Sequence, residues 1–197
     1  PWQPLALAAL VPMLTWRCLP VEAQPSPEVL AAEKATLAQL EIKPSQLMPL
    51  AISTPLVEGN QAKAVLCYAD SPAWREAALT IQVAIARATG VELPLLTDKE
   101  YEAKRPAQPH AVLIGHLDNH RVVSQLYRNF FVCLDTGTPG TDGYEIRTVH
   151  NPFGDGRNFL LVGGSSPAST KAAAEDFAGQ VAKAGKPGTL TFGRLLE

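Results

Sequence analysis

The segment FLLVGGSSPAS, residues 159–169, joins an apolar run to the start of a helix through a short glycine–serine turn. An uninterrupted apolar run of this length is typical of a strand buried on both faces of a sheet. Ser166 and Pro167 form a common pair at a helix start, because serine caps the helix and proline fits its first turn. The segment therefore predicts a buried strand that leads directly into a helix.

Two further segments repeat this order of buried strand, turn and helix start. AVLCYADSPAW (64–74) again contains Ser-Pro, with Ser71 as the predicted cap. HAVLIGHLDNHR (110–121) offers Asp118 or Asn119 as the cap of the next helix. Because strands and helices alternate along the chain, we expect a sheet with helices packed on it.

The segment YEIRTV, residues 144–149, alternates and is followed by a glycine-containing turn that leads into FLLVGG. This pattern predicts an antiparallel hairpin, which makes the sheet mixed. We therefore predict an α/β fold with a mixed, mostly parallel sheet and helices packed on it. The prediction places this single layered domain at residues 50–197.

Further predictions concern the connections. Turn residues predict a hairpin at 58–60, and Pro94 places the short strand VELPLLT near an edge of the sheet. Residues 101–109 are predicted to form a polar loop. Phe130 is predicted to face inward from the preceding helix. The segment GTLTFGRLLE, residues 188–197, is predicted to leave the domain in extended form.

The N-terminal residues differ in composition from the rest. The apolar run at 5–16 is shorter than the ~20 residues that a membrane span needs, and Val21-Glu22-Ala23 resembles a cleavage site. We predict a secretory signal-like segment at 1–24 and a secreted or periplasmic protein, with no membrane contact in its mature form. The missing basic region and initial Met predict a chain that is a fragment or begins late. Residues 25–49 are predicted to be a linker or arm with one short helix.

Charge and cysteine content narrow the function classes. The 17 basic and 19 acidic residues give a formal net charge of -2, and the basic residues are scattered, so we expect no nucleic-acid partner. Cys18 lies in the signal-like segment. Cys67 and Cys133 lie in apolar stretches and are predicted to be buried free thiols, although a disulfide between them stays open in an exported protein.

His116, Asp118 and His120 alternate and form a candidate metal site. On a strand these side chains would share one face, and histidine and aspartate are good zinc ligands. The remaining histidines, His110 and His150, lie far away along the chain. A helix start also breaks the alternation, so we predict exposed loop histidines, no metal and no cofactor.

The turn Gly163-Gly164-Ser165 is a candidate anion site, because a glycine-rich turn before a helix presents backbone N–H groups. It lacks the lysine of a phosphate-binding loop, and close packing of helix on strand is the alternative. Asp70 and Asp118 follow buried strands, whose carboxyl ends bind ligands in open α/β sheets. They are candidate paired carboxylates for glycoside cleavage, or else solvated cap and loop residues. We predict no catalytic residue, and we retain Asp70, Asp118, Gly164 and Ser165 as candidate ligand-binding residues.

The order of these pieces resembles the small α/β domain that precedes the catalytic barrel in β-N-acetylhexosaminidases, α-glucuronidases and related secreted polysaccharide-degrading enzymes. The resemblance covers about residues 50–185, and in that family a Thr-Gly helix end leads to a Leu-Pro strand, as Thr89-Gly90 leads to Leu93-Pro94 here. The stretches that carry it are AWREAALTIQVAIARATGVELPLLTD (73–98), HAVLIGHLDN (110–119), DGYEIRTV (142–149) and RNFLLVGGSSPASTKAAAEDFAGQV (157–181). In such enzymes the acid and base residues belong to the barrel, which takes about 250 residues.

The resemblance implies a non-catalytic N-terminal accessory domain of an exported carbohydrate-active enzyme, either a glycoside hydrolase or a polysaccharide lyase. Its expected partner is a catalytic module of the same polypeptide, with a glycan as a further partner. Two alternatives remain open. One is a stand-alone module that binds a glycan or cell-wall polymer, and the other is a small enzyme that holds a phosphate-bearing ligand at Gly163-Gly164-Ser165.

Overall fold

The computed structural model describes residues 26–39, 51–104, 106–140 and 142–197. The signal-like segment predicted at 1–24 lies outside these residues. The chain divides into two units, and the first contains helix α1 (Pro27–Gln39), which confirms the short helix predicted for the N-terminal arm.

The second unit begins at Met48 and contains the predicted α/β domain. Its strands are β1 (Thr54–Glu58), β2 (Gln61–Ala62), β3 (Ala64–Tyr68), β4 (Leu95–Thr97), β5 (His110–Ile114), β6 (Tyr144–Val149), β7 (Phe159–Gly164) and β8 (Leu190–Phe192). Its helices are α2 (Pro72–Thr89), α3 (Asp98–Lys104), α4 (Arg121–Arg128) and α5 (Pro167–Ala184).

The main sheet has the strand order β4-β3-β5-β7-β6. The first four strands are parallel, and β6 pairs antiparallel with β7 through the predicted hairpin. Alternate residues face opposite layers: Leu66 and Val112 pack with α2 and α5, while Cys67 and Leu113 pack with α3 and α4. The mixed, mostly parallel sheet is thus confirmed, as the middle of three layers.

The C-terminal segment closes the domain. Strand β8 pairs antiparallel with β1, which pairs with β2 across the predicted turn at 58–60. Beyond β8, Ile146 and Glu197 exchange two backbone hydrogen bonds of 3.0 Å, and Thr148 N–H donates to the Leu195 carbonyl at 3.2 Å. The prediction that residues 188–197 leave the domain is wrong, because this segment pairs with β1 and with β6.

Two of the predicted helix starts are confirmed. At α5 the Ser166 hydroxyl accepts from Ser169 N–H at 3.1 Å, and the Ser169 hydroxyl accepts from Ser166 N–H at 2.9 Å. This reciprocal arrangement is a capping box. Ser71 has the extended backbone of an N-cap before α2, although its side chain makes no capping hydrogen bond. Gly90 ends α2 with φ 77°, a left-handed conformation that glycine adopts without strain.

The predicted cap of α4 is wrong. His120 is the N-cap, and its Nδ1 accepts from Val123 N–H at 3.4 Å. Asn119 instead uses its Oδ1 to accept from His116 N–H at 2.9 Å. The Asn119 side chain therefore hydrogen-bonds within the turn that precedes the helix, and neither Asn119 nor Asp118 caps α4.

The predicted polar loop at 101–109 is also wrong in part, because its first four residues belong to α3. Thr97 and Glu100 form a capping box at the start of this helix: Thr97 N–H donates to Glu100 Oε2 at 3.0 Å, and Glu100 N–H donates to Thr97 Oγ1 at 3.2 Å. Tyr101 is buried against the sheet. The sequence signal for α3 was the spacing Thr-x-x-Glu at residues 97–100.

Phe130 faces solvent, with 94% of its surface exposed, which overturns the prediction that it faces inward. Helix α4 ends with Phe131 N–H donating to the Leu126 carbonyl at 3.0 Å and Phe130 N–H donating to the Tyr127 carbonyl at 2.9 Å. These two bonds define a Schellman closure, and Phe130 has φ 60° at the position where glycine is usual.

Cys67 and Cys133 are free thiols. The predicted burial is confirmed for Cys67. The same prediction is wrong for Cys133, which is exposed between the buried residues Val132 and Leu134. Burial, followed by the nearby carboxylate of Asp98, raises the pKa of the Cys67 thiol. Since the thiolate is the reactive form, Cys67 is shielded both sterically and electrostatically.

Replacing Phe130 with glycine is expected to stabilise the protein by up to about 1 kcal/mol, because the exposed ring packs on little and a left-handed non-glycine residue costs roughly 1–2 kcal/mol. Urea unfolding of wild-type and Phe130→Gly proteins measures the change. Phe131→Gly is the control, and it should lower stability because Phe131 is half-buried against the core. A loss of stability in Phe130→Gly similar to that in the control would show that the Phe130 ring stabilises the fold more than its left-handed backbone costs.

A maleimide reagent is expected to label Cys133 in the folded protein and to label Cys67 only after denaturation, because only Cys133 is exposed. Peptide mapping by mass spectrometry identifies the modified residue. Labelling of Cys67 in the native protein at a rate comparable to that of Cys133 would show that β3 is accessible.

Candidate functional site

A crevice of about 650 Å³ lies at the carboxyl ends of β4, β3 and β5. The chain passes from β3 through α2 to β4, and then from β4 through α3 to β5 on the other side of β3. These helices cover opposite faces, so the winding direction reverses between β3 and β5. Open α/β sheets bind ligands at such switch points. The charged residues of the crevice are Asp70, Asp98, Lys99, Glu102, Asp118, Arg121 and Arg128.

Both carboxylates singled out from the sequence line this crevice. Asp70 follows β3, and its Oδ2 lies 3.0 Å from Lys99 Nζ. Asp118 follows β5 with 52% of its side chain exposed, and its Oδ2 lies 3.5 Å from His116 Nδ1. Exposed ion pairs contribute only about 0–1 kcal/mol, so a ligand can compete for Asp70 at little cost. The structure brings together two aspartates that are far apart in sequence.

Asp98 is a buried carboxylate of the crevice that the sequence reasoning missed. Its Oδ2 accepts from Arg121 N–H at 3.2 Å and lies 3.7 Å from Arg121 Nε. Its Oδ1 is buried and has no hydrogen-bond partner among the described residues. A buried acceptor without a partner costs about 1–3 kcal/mol. Its place in the sequence could have identified it, because Asp98 follows strand β4 much as Asp70 follows strand β3.

Charges in the crevice nearly cancel. Glu102 Oε2 accepts from Arg121 Nη1 at 2.9 Å, and Glu102 Oε1 accepts from Gln125 Nε2 at 3.4 Å. These contacts connect α3 to α4 across the crevice. Four carboxylates and three cations line it, so its formal charge is −1. Donors and acceptors therefore occur side by side without a strong field of one sign.

The two histidines of the candidate metal motif are buried, so the prediction of exposed loop residues is wrong. His120 Nε2 bonds to the Cys67 carbonyl at 3.1 Å while its Nδ1 caps α4. His116 Nδ1 accepts from Asp118 N–H at 3.2 Å, and its ring packs edge-to-face on Trp74. Both rings are thus bound to local groups, and the described ranges contain no cluster of three or more potential ligands placed to hold a metal ion.

Burial lowers the pKa of His116 and, more strongly, that of His120. For His120 the bond to the Cys67 carbonyl and the charge of Asp98 act in the opposite direction and are outweighed by burial. A neutral His120 has one donor and one acceptor, which match the Cys67 carbonyl and the Val123 N–H. The ring therefore connects the end of β3 to the start of α4.

The remaining two candidates, Gly164 and Ser165, lie in the turn after β7. The Gly164 N–H donates to Thr170 Oγ1 at 2.8 Å, and the Ser165 N–H donates to the Gly143 carbonyl at 3.3 Å. A Cβ at Gly163 would collide with the carbonyl oxygen of Gly115. These contacts favour the packing explanation of the glycines over the anion-binding one, because the amides are occupied within the protein.

Neither a model of a known protein family nor a curated protein sequence matches this chain. The described residues include no helix with the length and apolar character of a membrane span. The resemblance to accessory domains of polysaccharide-degrading enzymes therefore stays a prediction.

His120→Asn is expected to lower stability by about 1–3 kcal/mol at neutral pH, because the Cys67 carbonyl loses its donor. In the wild type, the unfolded state binds a proton on His120 near its ordinary pKa of 6.5, whereas the buried ring resists protonation. The unfolded state then binds more protons, so stability falls as pH drops below about 6.5. This contribution is absent from the variant.

Urea unfolding at a series of pH values measures both effects. The free energy of unfolding should decline less steeply with falling pH in His120→Asn than in the wild type, at an unchanged denaturant slope. An equal or steeper decline in the variant would show that His120 does not resist protonation in the folded protein.

Proposed function

We propose that this chain is a non-catalytic accessory domain of an exported carbohydrate-active enzyme, and that its crevice contacts a neutral glycan. One observation carries the proposal: a polar crevice at the sheet's switch point places paired charges beside a buried carboxylate, Asp98, whose Oδ1 lacks a partner among the described residues. The catalytic module would belong to the same polypeptide, and the domain would pack against it.

The crevice chemistry suits a polyhydroxylated ligand. Each sugar hydroxyl donates one hydrogen bond and accepts others, so it needs donors and acceptors close together. Asp70 and Asp118 offer exposed acceptors at the opening that Asp98 also lines, while Lys99 and Arg121 offer exposed donors there. A crevice charge of −1 gives little attraction for a polyanion, which would need a basic surface. A neutral glycan is therefore the favoured ligand class.

The same residues do not form a pair suited to glycoside cleavage. That reaction needs one carboxyl group that delivers a proton and a second that acts as base or nucleophile. Asp70 and Glu102 are instead engaged with Lys99 and Arg121. Asp118 is solvated and lies beside a histidine. This arrangement supports a role in binding and positioning, with the chemistry supplied by another module.

The proposal that the protein is exported rests on the sequence pattern of residues 1–24. The proposal of a catalytic module rests on the family resemblance, and the coding region beyond Glu197 tests it directly. An encoded barrel or lyase module supports the accessory role. Glycan binding without any such module favours a stand-alone binding module. The phosphate-ligand alternative has less support, because the amides of Gly164 and Ser165 are already bonded.

The purified chain is expected to bind at least one series among neutral gluco-, xylo-, manno- and chito-oligosaccharides on a glycan array, and to prefer it over uronic-acid oligomers. Asp98→Asn should weaken this binding by about tenfold or more, because a charge-assisted hydrogen bond contributes about 1.5–3 kcal/mol. Calorimetric titration with the best neutral oligomer measures the loss.

Glu175→Gln is the matched control, since it removes a carboxylate from the exposed surface of α5, away from the crevice. It should bind as the wild type does. Absence of binding to every neutral series, a preference for acidic oligomers, or turnover of any oligomer by the purified chain would each contradict the proposal.

A further inference from the structure

A second depression, of about 380 Å³, adjoins the crevice and continues it between α3 and α4. Glu102 and Gln125 line both depressions, and they hydrogen-bond to each other at 3.4 Å at the junction. Each depression falls within the volume usual for a small-molecule site. Together they form one groove, which we call the α3–α4 groove. A ligand that fills both depressions must be elongated.

The second depression differs in chemistry from the crevice, because its wall is aromatic. Phe153 is 41% exposed, and its ring packs edge-to-face on Phe159 at 5.9 Å and on Phe131 at 6.4 Å between centroids. Such edge-to-face contacts fix the orientation of an aromatic ring. The Phe153 ring is thus a held platform that presents apolar surface to the groove.

Polar groups border this platform. Arg157 Nη1 donates to the Tyr101 hydroxyl at 3.4 Å, and Arg157 Nε lies 3.3 Å from Asp155 Oδ2. An apolar face with hydrogen-bonding groups along its edge matches a pyranose ring, which has apolar C–H faces and a polar rim of hydroxyls. A wholly apolar partner would leave Arg157 and Asp155 desolvated at a cost.

We propose that the α3–α4 groove binds an extended oligosaccharide chain, with one sugar in the crevice at Asp98 and a later sugar stacked on Phe153. This inference rests on the proposed glycan-binding function and adds the ligand's length and direction across the fold. Glu102 and Gln125 contact the linkage region between the two positions. Affinity should therefore increase with chain length until both depressions are filled.

The probes are dimers and hexamers of the neutral gluco-, xylo-, manno- and chito-oligosaccharide series, titrated calorimetrically into the full chain. The hexamer of the preferred series should bind wild type about tenfold more tightly than the dimer, as expected for one added aromatic contact. Phe153→Ala should lose this gain and retain the dimer affinity, and Phe153→Trp should restore it. Phe130→Ala is the matched control, because it removes an exposed phenylalanine that lines neither depression.

The outcomes separate the two proposals. Equal affinity of wild type for dimer and hexamer would overturn the extended groove and leave glycan binding standing. A hexamer gain that survives in Phe153→Ala would overturn the assigned platform. Equal losses of hexamer affinity in Phe153→Ala and Phe130→Ala would show a general effect of removing a surface ring. That result would also overturn the assignment of Phe153 as the platform. Absence of binding to every oligomer would contradict the underlying function.

Discussion

Burial of β3, β5 and β7 on both faces limits where this domain can place polar side chains. Helices cover each face of these parallel strands, so side chains along their length are almost all apolar. Polar groups can then collect only where the strands end. The packing there is close: a Cβ at Gly163 would meet the Gly115 carbonyl oxygen, so the ends of β5 and β7 approach backbone to backbone. The crevice is the opening that remains on the other side of β5, toward β3 and β4.

Most of the layered fold followed from local sequence patterns, because each of the three strand–turn–helix segments carries its own period and helix start. The errors occurred where tertiary contacts decide the structure. Helix α3 has seven residues, too few to be stable alone, and it depends on burial of Tyr101 and on the bond between Arg121 N–H and Asp98. Phe130 follows the apolar period of α4, yet the helix ends at Arg128, two residues earlier, and the Phe130 ring faces outward.

The candidate site was predictable in part for the same reason. Asp70 and Asp118 follow long apolar runs, so the rule that strand ends bind ligands identified them. Asp98 follows a three-residue edge strand, which gives a weak pattern, and Glu102 lies on the helix that the sequence reasoning missed. The ion pair between Asp70 and Lys99 joins residues separated by 29 positions, and no local pattern reports such a contact. Long-range pairing therefore had to come from the structure.

The walls of the crevice are held by contacts that do not involve a ligand. His120 connects the Cys67 carbonyl to the start of α4, and Glu102 connects α3 to Arg121 on α4. Because burial favours the neutral ring, the His120 contact adds no charge to the crevice. A sugar binds through many weak hydrogen bonds, and its affinity depends on how little the protein must be ordered on binding. Walls that are held before any ligand arrives are therefore consistent with the proposed contact to a neutral glycan.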